Sequence, residues 1–233
     1  MSTPKVYLLD IEGTVAPLTL TGEVLFPYAR RHVGEFLAQH AEDSSVRRDI
    51  ELLAEENRVD AEVQRTGGGE MEEPTRYLLW LMDWDRKSTA LKSLQGKIWK
   101  AGFESGELKG TLFEDVPEAL ARWARDARVA IYSSGSVEAQ KLLFRYSNFG
   151  DLTGLISGYF DTRVGAKRES GSYAAIAAEL KAASGEVLFF SDVVAELDAA
   201  REAGCRTRLV VRPGNAPVAD THGHDAISSF NRE

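Results

Sequence analysis

The chain has 233 residues, enough to bury a substantial core as one large domain or as a main domain carrying an insertion. Hydrophobic residues make up 43% and charged residues 27%, a balance that excludes a disordered or fibrous protein. A formal net charge of -8 argues against general binding to nucleic acid or anionic lipid, and the single cysteine, Cys205, excludes an internal disulfide or a CxxC pair.

The first element, "KVYLLD", is an apolar run read as a buried strand, and it ends abruptly in the carboxylates of Asp10 and Glu12, just before Gly13 and Thr14. The amino terminus enters this strand without the charged, apolar and cleavable parts of a signal peptide. No apolar run is long enough to cross a bilayer, so a reducing cytoplasm is the expected setting. From about Thr19 to Thr111 the apolar positions recur at helical spacing. Leu25, Val33, Phe36 and Leu37 mark one helix whose first turn holds Pro27, and "SSVRRDIELLAEEN", "TRYLLWLMDWD" and "STALKSLQGKIWKAGFESG" mark three more. Within this stretch "TGGGE" reads as a flexible connection. Tyr77, Trp80, Leu81 and Trp84 share a helical stripe, read as core packing before pocket lining, and Arg86, Lys87, Lys92, Lys97 and Lys100 read mainly as a solvated basic face.

Beyond the insertion the strands "RVAIYSS", "GLISGYF", "EVLFFSD" and "TRLVVRP" alternate with the helices "SVEAQKLLFRYS", "SGSYAAIAAELKAAS" and "VVAELDAAREAG", the last closing at Gly204. Strand alternating with helix predicts an α/β fold, a doubly wound parallel sheet with helices on both faces and an inserted helical domain. The expected division is a core of residues 1–18 and 112–233 and a helical cap of residues 19–111.

Ligands of an open parallel sheet bind beyond the carboxyl ends of its strands. There the first run ends in Asp10 and Glu12, the second in Ser133 and Ser134, and the fourth in Ser191 and Asp192 with Glu196 one helical turn on. Lys167 lies in the loop after the third. Taken singly, Asp10 reads as a turn or cap residue, Ser133 and Ser134 as the start of the next helix, Lys167 as a solvated loop lysine and Glu196 as an exposed helix residue. Taken jointly they suit phosphate chemistry. Asp10 and Asp192 can share a magnesium ion, and Ser133, Ser134 and Lys167 can cradle a phosphate. Asp10 can attack phosphorus to give an aspartyl-phosphate while Glu12 moves protons.

"DIEGT", "IYSSGS", the Lys167 region and "SDVVAE" resemble, in order and spacing, the four motifs of the haloacid dehalogenase superfamily, whose core is Rossmann-like. "LLDIEGTVAP", "VLFPYARRHV", "LMDWDRKSTALKSLQGKIWKAG" and "IYSSGSVEAQKLLF" resemble its enolase-phosphatase branch, the acireductone synthases of methionine salvage, and the likeness runs over nearly the whole chain, insertion included. Most of the wider superfamily has Asp where Glu12 stands, whereas this branch has Glu. The resemblance implies a monomeric, Mg2+-dependent enzyme that enolises 2,3-diketo-5-methylthiopentyl-1-phosphate, a small-molecule phosphate ester, and then removes its phosphate to give acireductone. By position Asp10 would be nucleophile and metal ligand, Glu12 the acid/base that also lends its main-chain carbonyl to the metal, and Asp192 the other protein ligand. Ser133, Ser134 and Lys167 would hold phosphate, and the role of Glu196 stays open.

The rival readings are a sugar-phosphate phosphatase of the same superfamily, a halide-releasing relative, and a non-enzymatic signalling domain phosphorylated on aspartate. A halide-releasing relative needs neither Asp192 nor Glu12, and a bare switch domain has no use for the long helical insertion. A dinucleotide-binding module fails because no G-x-G-x-x-G follows the first strand. His222 and His224 lie in a polar tail without a matching ligand cluster, and Cys205 reads as a small buried hydrophobe.

Overall fold

The computed structural model describes residues 3–59 and 73–231. Two compact units emerge, one from the residues up to Leu20 together with those from Gly106 onward, the other from Thr21–Ser105. The first unit is organised by six strands, β1 (Val6–Leu9), β2 (Arg128–Tyr132), β3 (Gly158–Phe160), β4 (Val187–Ser191), β5 (Arg206–Val210) and β6 (Ala226–Ile227). All pair in parallel in the order β3-β2-β1-β4-β5-β6. This is the doubly wound order in which a ligand crevice forms where the winding reverses, at β1. β1 and β4 are buried along their whole length, and accordingly "VYLL" and "VLFFS" are continuous apolar runs rather than alternating ones. β6, two residues long, lies outside the strands expected from sequence.

The second unit is helical: α1 (Phe26–His40), α2 (Ser44–Val59), α3 (Pro74–Asp83) and α4 (Thr89–Ser105). α1 continues without a break from a π-helix over Leu20–Leu25, and Pro27, which has no N–H to donate, lies two residues past that junction, so the helical stretch starts earlier than the sequence suggests. α4 starts where it does because Ser88 caps it, its hydroxyl accepting from the Leu91 N–H at 2.9 Å, while the Glu56 carboxylate of α2 takes the open N–H groups of Thr89 and Ala90 at 3.1 and 3.4 Å. Tyr77 and Leu81 are core residues, whereas Trp84 from the same stripe is 62% exposed, so the stripe is not one surface. The basic run is partly neutralised: Lys97 pairs with Asp49, and Lys100 with Glu104 at 2.5 Å. "TGGGE" lies outside the described residues.

Helices α5 (Val116–Trp123), α6 (Val137–Arg145), α7 (Ser170–Glu179) and α8 (Val194–Glu202) complete the first unit. On one face of the sheet, Val6, Leu8, Ala130, Tyr132 and Phe189 pack with Tyr173 and Ile176 of α7 and Leu197 of α8. On the other, Tyr7 stacks on Trp123 of α5 with ring centroids 4.5 Å apart, Phe190 lies 5.5 Å from Trp123, and Phe230 meets both Trp123 and Phe190 edge-on at 5.3 Å. Burying each such ring is worth on the order of 2–3 kcal/mol, which fixes the sheet between two layers. Cys205 is buried among the apolar residues beneath β4 and β5, and burial pushes its thiol up to about 11. No helix among the described residues is long and apolar enough to cross a membrane.

Candidate active site

Asp10, Ser133 and Asp192 each follow the last residue of their strand by one position. The registers Leu9↔Ile131 and Leu9↔Phe190 therefore bring the three strand exits to within one residue of the same level. Backbone pairing continues into these exits, with the Asp10 N–H donating to the Phe190 carbonyl at 3.0 Å and the Ser133 N–H to the Phe160 carbonyl at 3.1 Å.

Lys167 joins the group from the loop after β3. Its ammonium lies 2.5 Å from Asp10 Oδ1 and 2.6 Å from Glu196 Oε2, and its side chain is only 11% exposed. It is therefore a buried bridging cation, not a solvated loop lysine. The loop is held for this purpose: the Tyr173 hydroxyl donates to the Lys167 carbonyl at 2.7 Å, Ser172 to the Ala166 carbonyl at 2.8 Å, and Tyr132 to the Gly165 carbonyl at 2.9 Å. Glu196 is likewise buried, on the inward side of α8, and accepts from Ser191 Oγ at 2.9 Å, while Ser191 Oγ itself accepts from the Val193 N–H at 3.1 Å. The reading of Glu196 as an exposed helix residue is corrected, because the pair with Lys167 offsets the cost of burying a carboxylate there.

Of the two serines, Ser133 is buried with its hydroxyl accepting from the Gly135 N–H at 3.2 Å, and Ser134 is exposed. Neither caps the helix that follows. That task falls to Ser136, whose Oγ accepts from the Ala139 N–H at 3.2 Å.

The loop after β1 is folded tightly on itself. The N–H groups of Thr14, Val15 and Ala16 converge on the Ile11 carbonyl at 3.2, 2.9 and 2.9 Å, and the Gly13 N–H donates to the Ala16 carbonyl at 2.8 Å. The carbonyls of Gly13, Thr14 and Val15 accept from Asn215, Arg212 and the Phe113 N–H at 2.9, 3.0 and 3.0 Å. The Glu12 carbonyl takes no hydrogen bond among the described residues, and the Glu12 side chain is half-buried. Gly13 has φ +70, and a β-carbon there would collide with the Asp192 carboxylate. Asp192 is thus pressed against the loop that carries Asp10. Gly13→Ala is expected to destabilise the protein by at least about 1–2 kcal/mol from the positive φ alone. Chemical denaturation measures this, and unchanged stability would mean that Gly13 does not hold this left-handed conformation.

The electrostatics are lopsided. Asp10, Asp192 and Glu196 face one ammonium. Burial, reinforced by the charge of Asp10, pushes the Asp192 carboxyl up to about 7. Burial also raises Glu196, with Lys167 acting against it and Asp10 adding to it. Burial works against the charge of Lys167, but Asp10 and Glu196 outweigh it and hold the ammonium above its ordinary value. A site so short of positive charge fits a hard divalent cation. The donor set agrees: two carboxylates from adjacent strands and a backbone carbonyl left open at Glu12. Among the described residues no three His, Cys, Asp or Glu side chains form a complete cage, and magnesium commonly binds through one or two carboxylates while keeping several waters.

Five residues that position the site were not singled out from sequence: Tyr132, Ser172, Tyr173, Arg212 and Asn215. For the last two a signal was present, since "RPGN" places a Pro-Gly turn directly after β5 at the carboxyl edge of the sheet. His222 and His224, read as tail residues, both meet Asp198, at 2.6 and 3.0 Å, and the His224 side chain is buried.

A parallel sheet wound in this order, with an acid leaving β1, a serine leaving β2, a loop lysine and a second acid leaving β4, defines a class. The chain belongs to the haloacid dehalogenase-like hydrolase family, whose model matches residues 4–204. Within it, the similarity runs to enolase-phosphatases. The chain is 55% identical over 214 residues to Enolase-phosphatase E1 of Synechococcus elongatus, covering 91% of this chain and 90% of the relative. It is 48% identical over 227 residues to Enolase-phosphatase E1 of Leptospira borgpetersenii serovar Hardjo-bovis, covering 97% and 96%. Among solved structures it resembles the unknown transcript 4 protein of Saccharomyces cerevisiae, with a TM-score of 0.82 and 39% identity over 99% of this chain and 100% of that one.

Proposed function

We propose that the protein is an enolase-phosphatase that converts 2,3-diketo-5-methylthiopentyl-1-phosphate to acireductone and phosphate in methionine salvage, acting in the cytoplasm as a Mg2+-dependent monomer. The observation that carries the phosphatase reading is the Lys167 ammonium joined to Asp10 and Glu196 at the sheet edge where Ser133 and Asp192 also emerge. The choice of substrate rests on the likeness to Enolase-phosphatase E1 over most of both chains.

In this reading Ser133, Ser134 and Lys167 hold the phosphate, and Asp10, Asp192 and the Glu12 carbonyl hold the metal. Magnesium, when bound, supplies positive charge to the phosphoryl oxygens and to the developing enolate. In the first half-reaction a proton leaves the phosphate-bearing carbon and the neighbouring carbonyl oxygen gains one, with Glu12 as proton carrier and Lys167 lowering the cost of the negative charge. In the second, an Asp10 oxygen attacks phosphorus, the bond from phosphorus to the ester oxygen breaks, and Glu12 gives that oxygen a proton. Water then attacks the aspartyl-phosphate, Glu12 takes up a proton, and phosphate leaves as the Asp10 carboxylate is restored. Glu196 keeps Lys167 in place, and the helical stretch of residues 19–111 is assigned the role of cap.

The test is a time course with the diketone phosphate and magnesium, followed by enediol absorbance and by phosphate release. The expected result is an enediol signal that rises before phosphate, with sugar phosphates turned over poorly. Equal release from sugar phosphates with no enediol signal would assign a general sugar-phosphate phosphatase instead.

A further inference from the structure

β5 ends at Val210, and two residues later the chain turns sharply through Arg212, Pro213, Gly214 and Asn215. The Asn215 N–H donates back to the Arg212 carbonyl at 3.1 Å, and Gly214 has φ +89. With Pro213 ahead of that glycine, this is the arrangement of a type II turn. Its two corner side chains reach two successive carbonyls of the loop after β1. Arg212 Nε donates to the Thr14 carbonyl at 3.0 Å, and Asn215 Nδ2 to the Gly13 carbonyl at 2.9 Å.

The two corners are built differently. Arg212 is buried, paired with Asp115 at 2.9 Å, and lies 4.6 Å from the ring centroids of both Phe113 and Phe230, so it is part of the core. Asn215 is half-buried, and among the described residues its amide bonds only the Gly13 carbonyl and, at 3.3 Å, the Val210 carbonyl at the end of β5. It spends its donors on the loop and on its own anchor.

The bond to Gly13 matters because glycine has the widest backbone freedom and sits one residue after Glu12. The peptide before Gly13 is held by the Gly13 N–H on the Ala16 carbonyl, and the peptide after it by Asn215 on the Gly13 carbonyl and by the Thr14 N–H on the Ile11 carbonyl at 3.2 Å. Remove the amide of Asn215 and the second peptide keeps a single, longer bond. Rotation there would loosen the turn from Ile11 to Ala16 that carries Glu12, and change how Gly13 meets Asp192.

We propose that Asn215 is a positioning residue for the reaction, fixing the turn from Ile11 to Ala16 so that Glu12, and the Asp192 carboxylate packed against Gly13, keep one orientation. This rests on the roles given to Asp10 and Glu12 under Proposed function. It touches no substrate itself, so its loss slows chemistry and leaves substrate affinity intact.

The experiment compares Asn215→Ala and Asn215→Asp with the wild-type chain by kcat, KM, thermal midpoint without metal, and the rise in that midpoint on adding magnesium alone. For Asn215→Ala, kcat per folded molecule is expected to fall about tenfold to a hundredfold, the cost typical of a misplaced catalytic group, with KM within about threefold. The metal-free midpoint is expected to stay close to wild type, and the magnesium-induced rise to shrink. Asn215→Asp, nearly isosteric, sets a carboxylate against the Gly13 carbonyl and beside Asp192, and is expected to lose more activity than Asn215→Ala. Should the alanine variant fail to fold, Asn215→Ser, which is also uncharged, supplies the same comparison. An unchanged kcat, or a raised KM at constant kcat, overturns the proposal. Phosphate release that survives Asp10→Asn overturns the catalytic assignment instead, whatever Asn215 shows.

Discussion

Asp10→Asn is expected to abolish phosphate release, with kcat reduced by on the order of 10^4-fold or more, as when a nucleophile is removed from an enzyme whose remaining parts are intact. The variant should fold. The amide is nearly isosteric, its oxygen still accepts from Lys167, and Lys167 keeps Glu196 as counter-ion at 2.6 Å. What is lost is a charged oxygen able to form a bond to phosphorus, and with it one member of the donor set proposed for the metal. The substitution also has an electrostatic signature independent of turnover. The Asp192 carboxyl stands at about 7 because of burial first and the Asp10 charge second. Neutralising position 10 removes the second cause and leaves the first, so in the metal-free variant Asp192 should titrate below about 7 yet above its ordinary 3.8. Carboxyl NMR on metal-free protein measures that shift. Undiminished phosphate release from Asp10→Asn would refute the nucleophile, and an unmoved Asp192 titration would mean that the two carboxylates do not feel each other.

The strands, their parallel pairing and the helices after β2, β3 and β4 were legible in sequence because each is long or apolar enough to carry its own period, as in "EVLFFSD" and "VVAELDAAREAG". α5 was not singled out, though Val116, Ala119, Leu120 and Trp123 recur at helical spacing: the helix is only eight residues long, and the packing of Trp123 against Tyr7 is a contact that only the fold creates. β6 is two residues held by neighbours rather than by propensity. At the candidate site the acids and the lysine were legible as types placed after strands. The burial of Glu196 was not, because a glutamate on a helix defaults to solvent unless a buried cation meets it, and that cation comes from a loop some thirty residues earlier. Ser136 shows the opposite case. In "SSGS" any serine can cap, and only the start of α6 at Val137 decides which one does.

The second large effect concerns stability. Arg212→Met is expected to cost about 3–5 kcal/mol, the range for removing one partner of a buried ion pair. Both side chains are nearly sequestered, Arg212 at 4% and Asp115 at 11% exposure. Methionine can fill part of the space between Phe113 and Phe230, but it leaves the Thr14 and Ser228 carbonyls without their donor and Asp115 without its counter-ion. At roughly 2–4 °C per kcal/mol for a chain of this size, the midpoint should fall by about 6–20 °C. The pH dependence identifies the mechanism. Burial alone would raise the Asp115 carboxyl, but the bond and charge from Arg212, the Phe230 N–H at 2.6 Å and the Ser229 hydroxyl at 3.0 Å together hold it below its ordinary value. A folded pKa depressed below the unfolded one contributes stability that is fully present above the unfolded value and is lost as pH falls through the folded one. The gap between wild type and Arg212→Met should therefore be widest near neutrality and close in acid, as protonation of Asp115 removes from the wild type what the mutation removed already. Denaturation followed by tryptophan fluorescence from neutral pH to below about 4 reads both quantities. A gap that stays constant across that range would assign the loss to packing of the guanidinium between the two rings, and not to the ion pair.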